Sequence, residues 1–450
     1  MYAATPMGGS QVSAGISPLD EAHGRRLAGD RDGALRLGIA ILEAADQQLG
    51  AAALLASVLI DEGRTVVAGE VAGRLAEAWL RRGDLPAATA AAHLADRAGE
   101  DGAVLRRRIA EAFGEGSARL GDVSPAPPPL PSKGDIAPRV AQLEGLVLLD
   151  RAEDALQKFL TTDDPVDPGT RVPALPLFSA LAPDALARLL EAFELREAPV
   201  HHEVISQGEE GREAFVVIRG LLEVLRRSEG GAAPVTLAAL GPGALFGEMA
   251  LVSESPRAAS VVAAEPTQLL CVSRDSLEAL AADVPAIGRE LGRFCRGRML
   301  SNLARHSAIL RKAPPERRHA LMALFESVSF EPGEPVVREG QDSEGLFLIA
   351  SGGVEVTGTD AEGERLPLAT LGPGDVVGEI SLVLRRPATA DVVARHPTVA
   401  LRLSRARFQE AIEQYPGLLN ELYDIATKRE EETRSVVAQQ ALDVEDAVLV

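Results

Sequence analysis

From Ser17 to about Phe113 apolar residues return every three or four positions, the spacing of a buried helical stripe, and the whole stretch is predicted helical. Turns with glycine beside or near an acid interrupt it at "AGDRDGAL" (Ala28 to Leu35), "DEGRTVVA" (Asp61 to Ala68) and "RGDLPAAT" (Arg82 to Thr89). Each is followed by an apolar helix such as "ALRLGIAILEAA". Ser17-Pro18-Leu19-Asp20 predicts the first helix start, with a hydroxyl at the cap, proline at the first helical position and an acid in the first turn. "SPAPPPLPSKGDIAP" (Ser124 to Pro138) ends the region, because successive prolines lack amide donors and hold the chain extended. One more helix, "RVAQLEGLVLLDRAEDALQKFL", and an Asp/Pro-rich break follow.

Beyond Pro173 the pattern shortens to β-type runs such as "AFVVIRG", "LLEVLRR", "TLAAL" and "ASVVAAE", divided by glycine turns. These are too short for a parallel sheet and suit an antiparallel jelly roll. They also occur twice. "ISQGEEGREAFVVIRGLLEV" (Ile205 to Val224) corresponds to "VVREGQDSEGLFLIASGGVEV" (Val336 to Val356), and "GALFGEMALVSESPRAASV" from Gly243 to "GDVVGEISLVLRRPATADV" from Gly374. Gly220 and Gly352 are offset by 132 positions and Gly247 and Gly378 by 131, the length of a whole domain rather than of a solenoid unit. "PLFSALAPDALARLLEAFE" opens the first copy and "RDSLEALAADVPAIGRELGRFCRGRML" closes it.

The expected fold is α+β: an N-terminal α-helical repeat or bundle followed by two β jelly-roll barrels, each flanked by helices. The boundaries are a flexible N-terminus over 1–16, a helical domain over 17–115, a proline-rich linker over 116–138, a helix and linker over 139–173, a first barrel domain over 174–301, a second over 302–436 and a tail over 437–450. The helical domain resembles a tetratricopeptide stack, in which paired helices bury apolar faces only against neighbours. Trp79 and Gly83 fit that pattern. Gly29 and Gly63 stand 34 positions apart but Gly63 and Gly83 only 20, so a generic helical bundle is the alternative.

"GEEGREAFVVIRGLLEV", "LGPGALFGEMALV" and "SPRAASVVA", in that order, resemble the cyclic nucleotide-binding domain of catabolite-activator proteins, protein kinase A regulatory subunits and cyclic nucleotide-gated channels. The resemblance covers roughly 175–301 and 315–434, and the tandem copies are similar to the kinase regulatory subunit. It implies a ligand site in the first barrel at Gly247, Glu248, Met249, Ala250, Arg257, Ala258 and Ala259. Amides opening a short helix near Gly247 would face the cyclic phosphate, and glycine lets the backbone approach closely. Glu248 would accept the ribose 2′-OH, and Arg257 would supply the planar counter-charge. Small Ala258 and Ala259 leave room. In the family the residue after the arginine is often Thr in cGMP binders and Ala in cAMP binders, so Ala258 favours cAMP, with cGMP as the other candidate.

The second copy keeps Gly378 and Glu379 but has Ala388 and Thr389 where the first has Arg257 and Ala258. An incoming phosphate would meet a carboxylate and no facing cation, and one unpaired buried charge costs about 3 to 5 kcal/mol. The second site is therefore read as degenerate. Arg385 and Arg386 precede the proline in a tip expected to face solvent.

Composition narrows the function. A net charge of -20 opposes general affinity for nucleic acid or anionic membrane, the basic cluster from Arg289 to Arg318 notwithstanding. No helix-turn-helix module is expected in the residues that follow the last strand. Cys271 and Cys295 are isolated and read as buried thiols, not a disulfide or zinc site. His201 and His202 would point to opposite faces of a strand, a poor geometry for one metal, so none is expected. No phosphate loop, nucleophile elbow or kinase or cyclase signature occurs. "RRLAG" (Arg25 to Gly29) and "RRSEG" at Arg226 resemble pseudosubstrates by chance, one in a helix and one in a hairpin. With neither signal peptide nor apolar span, a soluble cytoplasmic protein is expected. The favoured reading is a non-enzymatic cyclic nucleotide sensor whose helical N-terminal region contacts an unidentified protein partner. The alternative is a ligand-independent scaffold.

Overall fold

The computed structural model describes residues 17–44, 48–122, 136–164, 166–167, 169–227, 233–251, 256–359 and 365–448, with side chains on the last helix to 433. The expected flexible N-terminus and most of the proline-rich linker lie outside the described residues. The chain divides into two compact units. One runs to Leu251 and includes Arg257–Phe294; the other holds Val252–Pro256 and Cys295–Val450. The helical region and the first barrel thus share one unit.

That unit begins with six helices: α1 (Pro18–Leu27), α2 (Arg31–Glu43), α3 (Gln48–Asp61), α4 (Thr65–Arg81), α5 (Leu85–Ala98) and α6 (Gly102–Phe113). Their starts follow local chemistry. Ser17 Oγ accepts the Asp20 N–H at 3.1 Å, and Asp30, Asp84 and Asp101 cap α2, α5 and α6 in the same way. Gly29, Gly63 and Gly99 close successive hairpins with φ between 77° and 90°, 34 and 36 positions apart. Gly83, also at positive φ, joins α4 to α5, which explains the irregular interval. Alanine and leucine stripes on α2 to α5 form the core, with α8 laid against it.

A two-residue parallel pair, β1 (Leu120–Gly121) with β2 (Val172–Pro173), brackets α7 (Pro138–Ala141) and α8 (Gly145–Thr161). After α9 (Pro183–Glu191) comes the first barrel: β3 (Glu194–Ala198), β4 (Glu203–Ile205), β5 (Glu213–Arg219), β6 (Leu222–Arg226), β7 (Val235–Leu240), β8 (Leu245–Phe246), β9 (Ser260–Ala263) and β10 (Thr267–Ser273). They form two antiparallel sheets, β3-β10-β5-β8 and β4-β9-β6-β7. Phe215 and Phe246 stack between them at 5.1 Å. Helices α10 (Arg274–Asp283) and α11 (Pro285–His306) follow.

The second barrel opens with α12 (Arg318–Met322) and comprises β11 (Glu326–Phe330), β12 (Pro335–Val337), β13 (Gly345–Ser351), β14 (Val354–Thr359), β15 (Arg365–Leu371), β16 (Val376–Val377), α13 (Glu379–Val383), β17 (Asp391–Ala394) and β18 (Thr398–Ser404). Its sheets, β11-β18-β13-β16 and β12-β17-β14-β15, repeat the first barrel strand for strand. Helices α14 (Arg405–Gln414) and α15 (Pro416–Val448) close it, so most of the expected tail is helix, continuous with a sequence free of proline after Pro416.

One placement is corrected. His201 and His202 occupy the turn between β3 and β4, not a strand: His201 has φ +68° and donates its N–H to Ala263 O at 2.7 Å. The second copy has Gly333 at φ +86°, making the same bond to Ala394 O.

Candidate ligand site

The site of the first barrel is assembled from β5, the turn after β8 and the bend before β9. Gly247 leaves β8 with φ +75°, where a Cβ would sit 2.9 Å from Glu213 O and 3.1 Å from Arg257 Nη1. The chain then enters a single 3₁₀ turn, Glu248–Leu251, that buries Glu248 and half-buries Met249, with Ala250 in the same turn.

Arg257 ties these pieces together. Its Nη1–H donates to Gly247 O at 2.9 Å and its Nη2–H to Glu213 O at 2.7 Å. Its own main chain is laced to the preceding turn, Gly208 N–H donating to Arg257 O and Arg257 N–H to Glu209 O, both at 2.9 Å. Gly211 leaves space for the guanidinium: a Cβ there would lie 2.1 Å from Arg257 Nε. Burial lowers the Arg257 pKa from its ordinary value, opposed by Glu213, Glu248 and Glu209, yet an arginine stays charged at neutral pH. These two bonds of the half-buried cation go to neutral carbonyls, so an approaching anion meets a positive charge that they leave uncompensated. Ala258, exposed, and Ala259, half-buried, carry the bend into β9.

The second barrel reproduces the backbone and replaces the chemistry. Gly378, at φ +84°, precedes α13, and Gly340 N–H and Gln341 O bond the main chain of Ala388 at 2.8 and 2.9 Å. Ala388 is buried and Thr389 half-buried. Ser343 stands where the first copy has Gly211, and its Oγ–H donates to Gly345 O at 2.6 Å, the carbonyl equivalent to Glu213 O. A small hydroxyl thus takes over one structural bond of the absent guanidinium. Sequence reading missed this exchange, although the Gly211/Ser343 difference accompanies Arg257/Ala388 in the aligned copies.

A cation absent from the sequence expectation, in which a phosphate would meet a carboxylate and no facing cation, stands at this turn: the buried Glu379 carboxylate is paired with Arg429 of α15, Nη1 to Oε1 at 3.0 Å, and the same nitrogen bonds Val376 O. Arg386 reaches Glu430 of α15 at 2.9 Å instead of the Glu379 turn. A cavity of about 160 Å³ lies between this turn, the sheet β12-β17-β14-β15 and α15.

Elsewhere, Cys271 and Cys295 are buried and not joined in a disulfide, and burial with neighbouring Glu213 pushes Cys271 up to about 12. Among the described residues no group of three or more His, Cys, Asp or Glu side chains could hold a metal ion. No described helix is long and apolar enough to cross a membrane.

Comparison with known proteins gives matches to the cyclic nucleotide-binding domain at residues 195–283 and 327–415. The cAMP-dependent protein kinase regulatory subunit of Yarrowia lipolytica is 30% identical over 236 residues, 52% of this chain and 58% of that protein. The regulatory subunit of Aspergillus fumigatus is 28% identical over 244 residues, 52% and 56% of the two chains. The chain therefore spans little more than half the length of the curated relatives it matches. Among solved structures, the catabolite activator protein of Thermus thermophilus is 35% identical, covering 33% of this chain and 70% of that one, with a TM-score of 0.27.

Proposed function

The chain carries two tandem cyclic nucleotide-binding domains, and from that premise we propose that it is a cAMP-responsive regulatory protein, without catalytic activity of its own, whose first barrel is the sensor. The observation that carries this reading is the Arg257 guanidinium, half-buried and held by Gly247 O and Glu213 O. It is a fixed cation whose remaining donors match the oxygens of a cyclic phosphate. Glu248, buried in the adjoining turn, accepts the ribose 2′-OH, and Gly247 brings main-chain amides close to the phosphate. Ala258 leaves the adenine-type ligand favoured over cGMP.

Transmission follows from β5. The strand presents Glu213 O to Arg257 at one end and carries Arg219 at the other, about 20 Å away for seven extended residues. Arg219 is largely buried and ion-paired with Asp20 of α1, and Arg26 of the same helix pairs with Glu197 on β3. A phosphate that draws Arg257 toward itself competes with the Glu213 bond and so perturbs the strand on which the helical region rests. Ligand shifts this equilibrium only by its different affinity for the two arrangements. The helical region, through which a protein partner would be engaged, is the output surface.

Calorimetric titration of the full chain with cAMP and cGMP tests the reading. One cAMP site that Arg257→Ala abolishes is the expected result, and affinity unchanged by that substitution would overturn it. No binding by the unaltered chain would leave the scaffold alternative standing.

A further inference from the structure

The sheet β3-β10-β5-β8 has two faces, and only one belongs to the barrel interior. Phe215 and Val217 of β5 pack inward, while Val216 and Ile218, on the opposite face, join the core shared with the helical region. Between that outer face and helices α1, α3, α4 and α5 lies a cavity of about 1320 Å³, partly open to solvent. Ordinary small-molecule clefts run to about 1,000 Å³, so the space admits a ligand of more than one ring. Its walls are mainly apolar, with Trp79, Leu94, Phe159, Leu195, Val216 and Ile218 among the large side chains. Gly247, Glu248 and Arg257 do not line it, which separates it from the site of the first barrel.

The charges around the cavity are already committed. Five arginines line it, and four are paired with carboxylates: Arg82 with Asp164 at 3.0 Å, Arg97 with Asp61 at 2.6 Å, and Arg196 with Glu213 and Arg219 with Asp20 at 2.5 Å each. The fifth, Arg74, donates to Leu160 O at 2.6 Å and to Thr162 O, the carbonyls that end α8, and lies 5.0 Å from the Phe159 ring centre. The negative end of that helix takes up its charge. An anion finds no arginine to pair with. Among the lining acids, Glu197 is held by Arg26, Asp84 caps α5, Glu265 shares the field of Arg219 with Asp20, and Asp163 is exposed. A cation therefore meets a lone acid only in the open. His23 of α1 is the polar exception. It lines the cavity at 3% exposure, and its buried Nε2 has no hydrogen-bond partner. Burial and the neighbouring Arg219 and Arg26 hold its pKa well below the ordinary value, so the ring is neutral. A buried polar atom without a partner calls for one, and a hydroxyl serves either imidazole tautomer.

We propose that this cavity is a ligand site separate from both barrel pockets, and that it takes an uncharged amphiphile: an apolar chain or fused ring carrying one hydroxyl that reaches His23. The full-length protein is titrated with Prodan, an uncharged naphthyl ketone whose absorption overlaps tryptophan emission, and energy transfer from Trp79 is read. Saturable transfer is expected, displaced by 1-decanol at concentrations about tenfold or more below those needed of decanoate or decylamine. Ala90→Phe directs a ring into the cavity from a half-buried position on α5 and should weaken Prodan about tenfold while the protein melts as the unaltered chain does. His23→Leu should weaken decanol about tenfold relative to Prodan, whose retained binding shows that the cavity is intact. Arg257→Ala should bind Prodan as the unaltered chain does, so failure of the cAMP reading leaves this proposal standing. No saturable transfer, transfer that Ala90→Phe leaves unchanged or Arg257→Ala removes, an unaltered decanol-to-Prodan ratio in His23→Leu, or displacement by either charged homologue as strong as by decanol overturns the proposal.

Discussion

Gly211 and Arg257 should behave as one unit, and a double-mutant cycle measures the coupling. Arg257→Ala removes the donors to Gly247 O and Glu213 O. Charge-assisted bonds of this kind contribute about 1.5 to 3 kcal/mol, and partial exposure places the loss near about 2 kcal/mol. Gly211→Ser alone puts a Cβ 2.1 Å from Arg257 Nε and 2.2 Å from its Cζ, so the guanidinium must leave its carbonyls. Overpacking at such a site costs about 1 to 3 kcal/mol. Independent effects would sum to roughly 4 kcal/mol. The second barrel is the natural version of the double change: Ser343 and Ala388 coexist, and the serine hydroxyl bonds Gly345 O at 2.6 Å. Gly211→Ser/Arg257→Ala should therefore lose only about 1 to 2 kcal/mol, a favourable coupling of about 2 kcal/mol. Trp79 is the only tryptophan and packs against both the helical core and the core shared with the first barrel, so its fluorescence in urea reads this unit without interference from the other. Additive losses, or a double variant less stable than either single one, would refute the claim that the serine replaces the guanidinium structurally.

Three further outcomes are expected. Asp20→Ala leaves Arg219 largely buried without its partner and should destabilise the same unit by about 3 kcal/mol in the Trp79 assay, whereas Asp20→Leu/Arg219→Met should cost less. Asp84 is half-buried at the start of α5, and desolvation raises its pKa to about 6 against 3.8 in the unfolded chain. The native state then holds a proton that the unfolded state has released between about pH 4 and pH 6, so stability falls by about 3 kcal/mol as pH rises through that window. Asp84→Asn keeps the cap and should flatten that part of the profile; an unaltered slope would contradict the assignment. Gly220→Ala and Gly352→Ala should each destabilise their own barrel, because both glycines have φ above 80° and a Cβ would approach Thr267 Oγ1 or Thr398 Oγ1 within 2.6 Å, which thermal unfolding of each variant checks.

The parts of the molecule set by local chemistry were legible in the sequence. Aspartate and serine caps, turn glycines and the two-residue strand alternation all act within a few positions, and the near-constant offset exposed the duplicated barrel. The contrast between Arg257 and Ala388 was equally visible, being one residue in an aligned pair. What escaped involved side chains brought together from afar. Arg429 meets Glu379 across 50 positions, and nothing in "IATKREEET" distinguishes it from a solvated basic residue on a charged helix. The union of the helical region with the first barrel rests on pairs such as Asp20–Arg219, 199 positions apart, which periodicity cannot register. The Gly211/Ser343 exchange was within reach, because both residues lie in aligned segments, but its meaning depends on knowing which carbonyl the guanidinium holds. The histidine pair was misplaced because an L-residue at positive φ, His201, occupies a turn position that glycine marks in the second copy.

The central claim is that the Arg257 guanidinium makes the first barrel a receptor for an anionic messenger, while the second has Ala388 at that position and a guanidinium, Arg429, already paired with Glu379. Titrating cAMP into the unaltered chain, into Arg257→Ala and into Ser343→Gly/Ala388→Arg, which restores both the arginine and the space it needs, measures it most directly. One site, no site and two sites, in that order, are predicted; equal stoichiometry in all three would contradict the account.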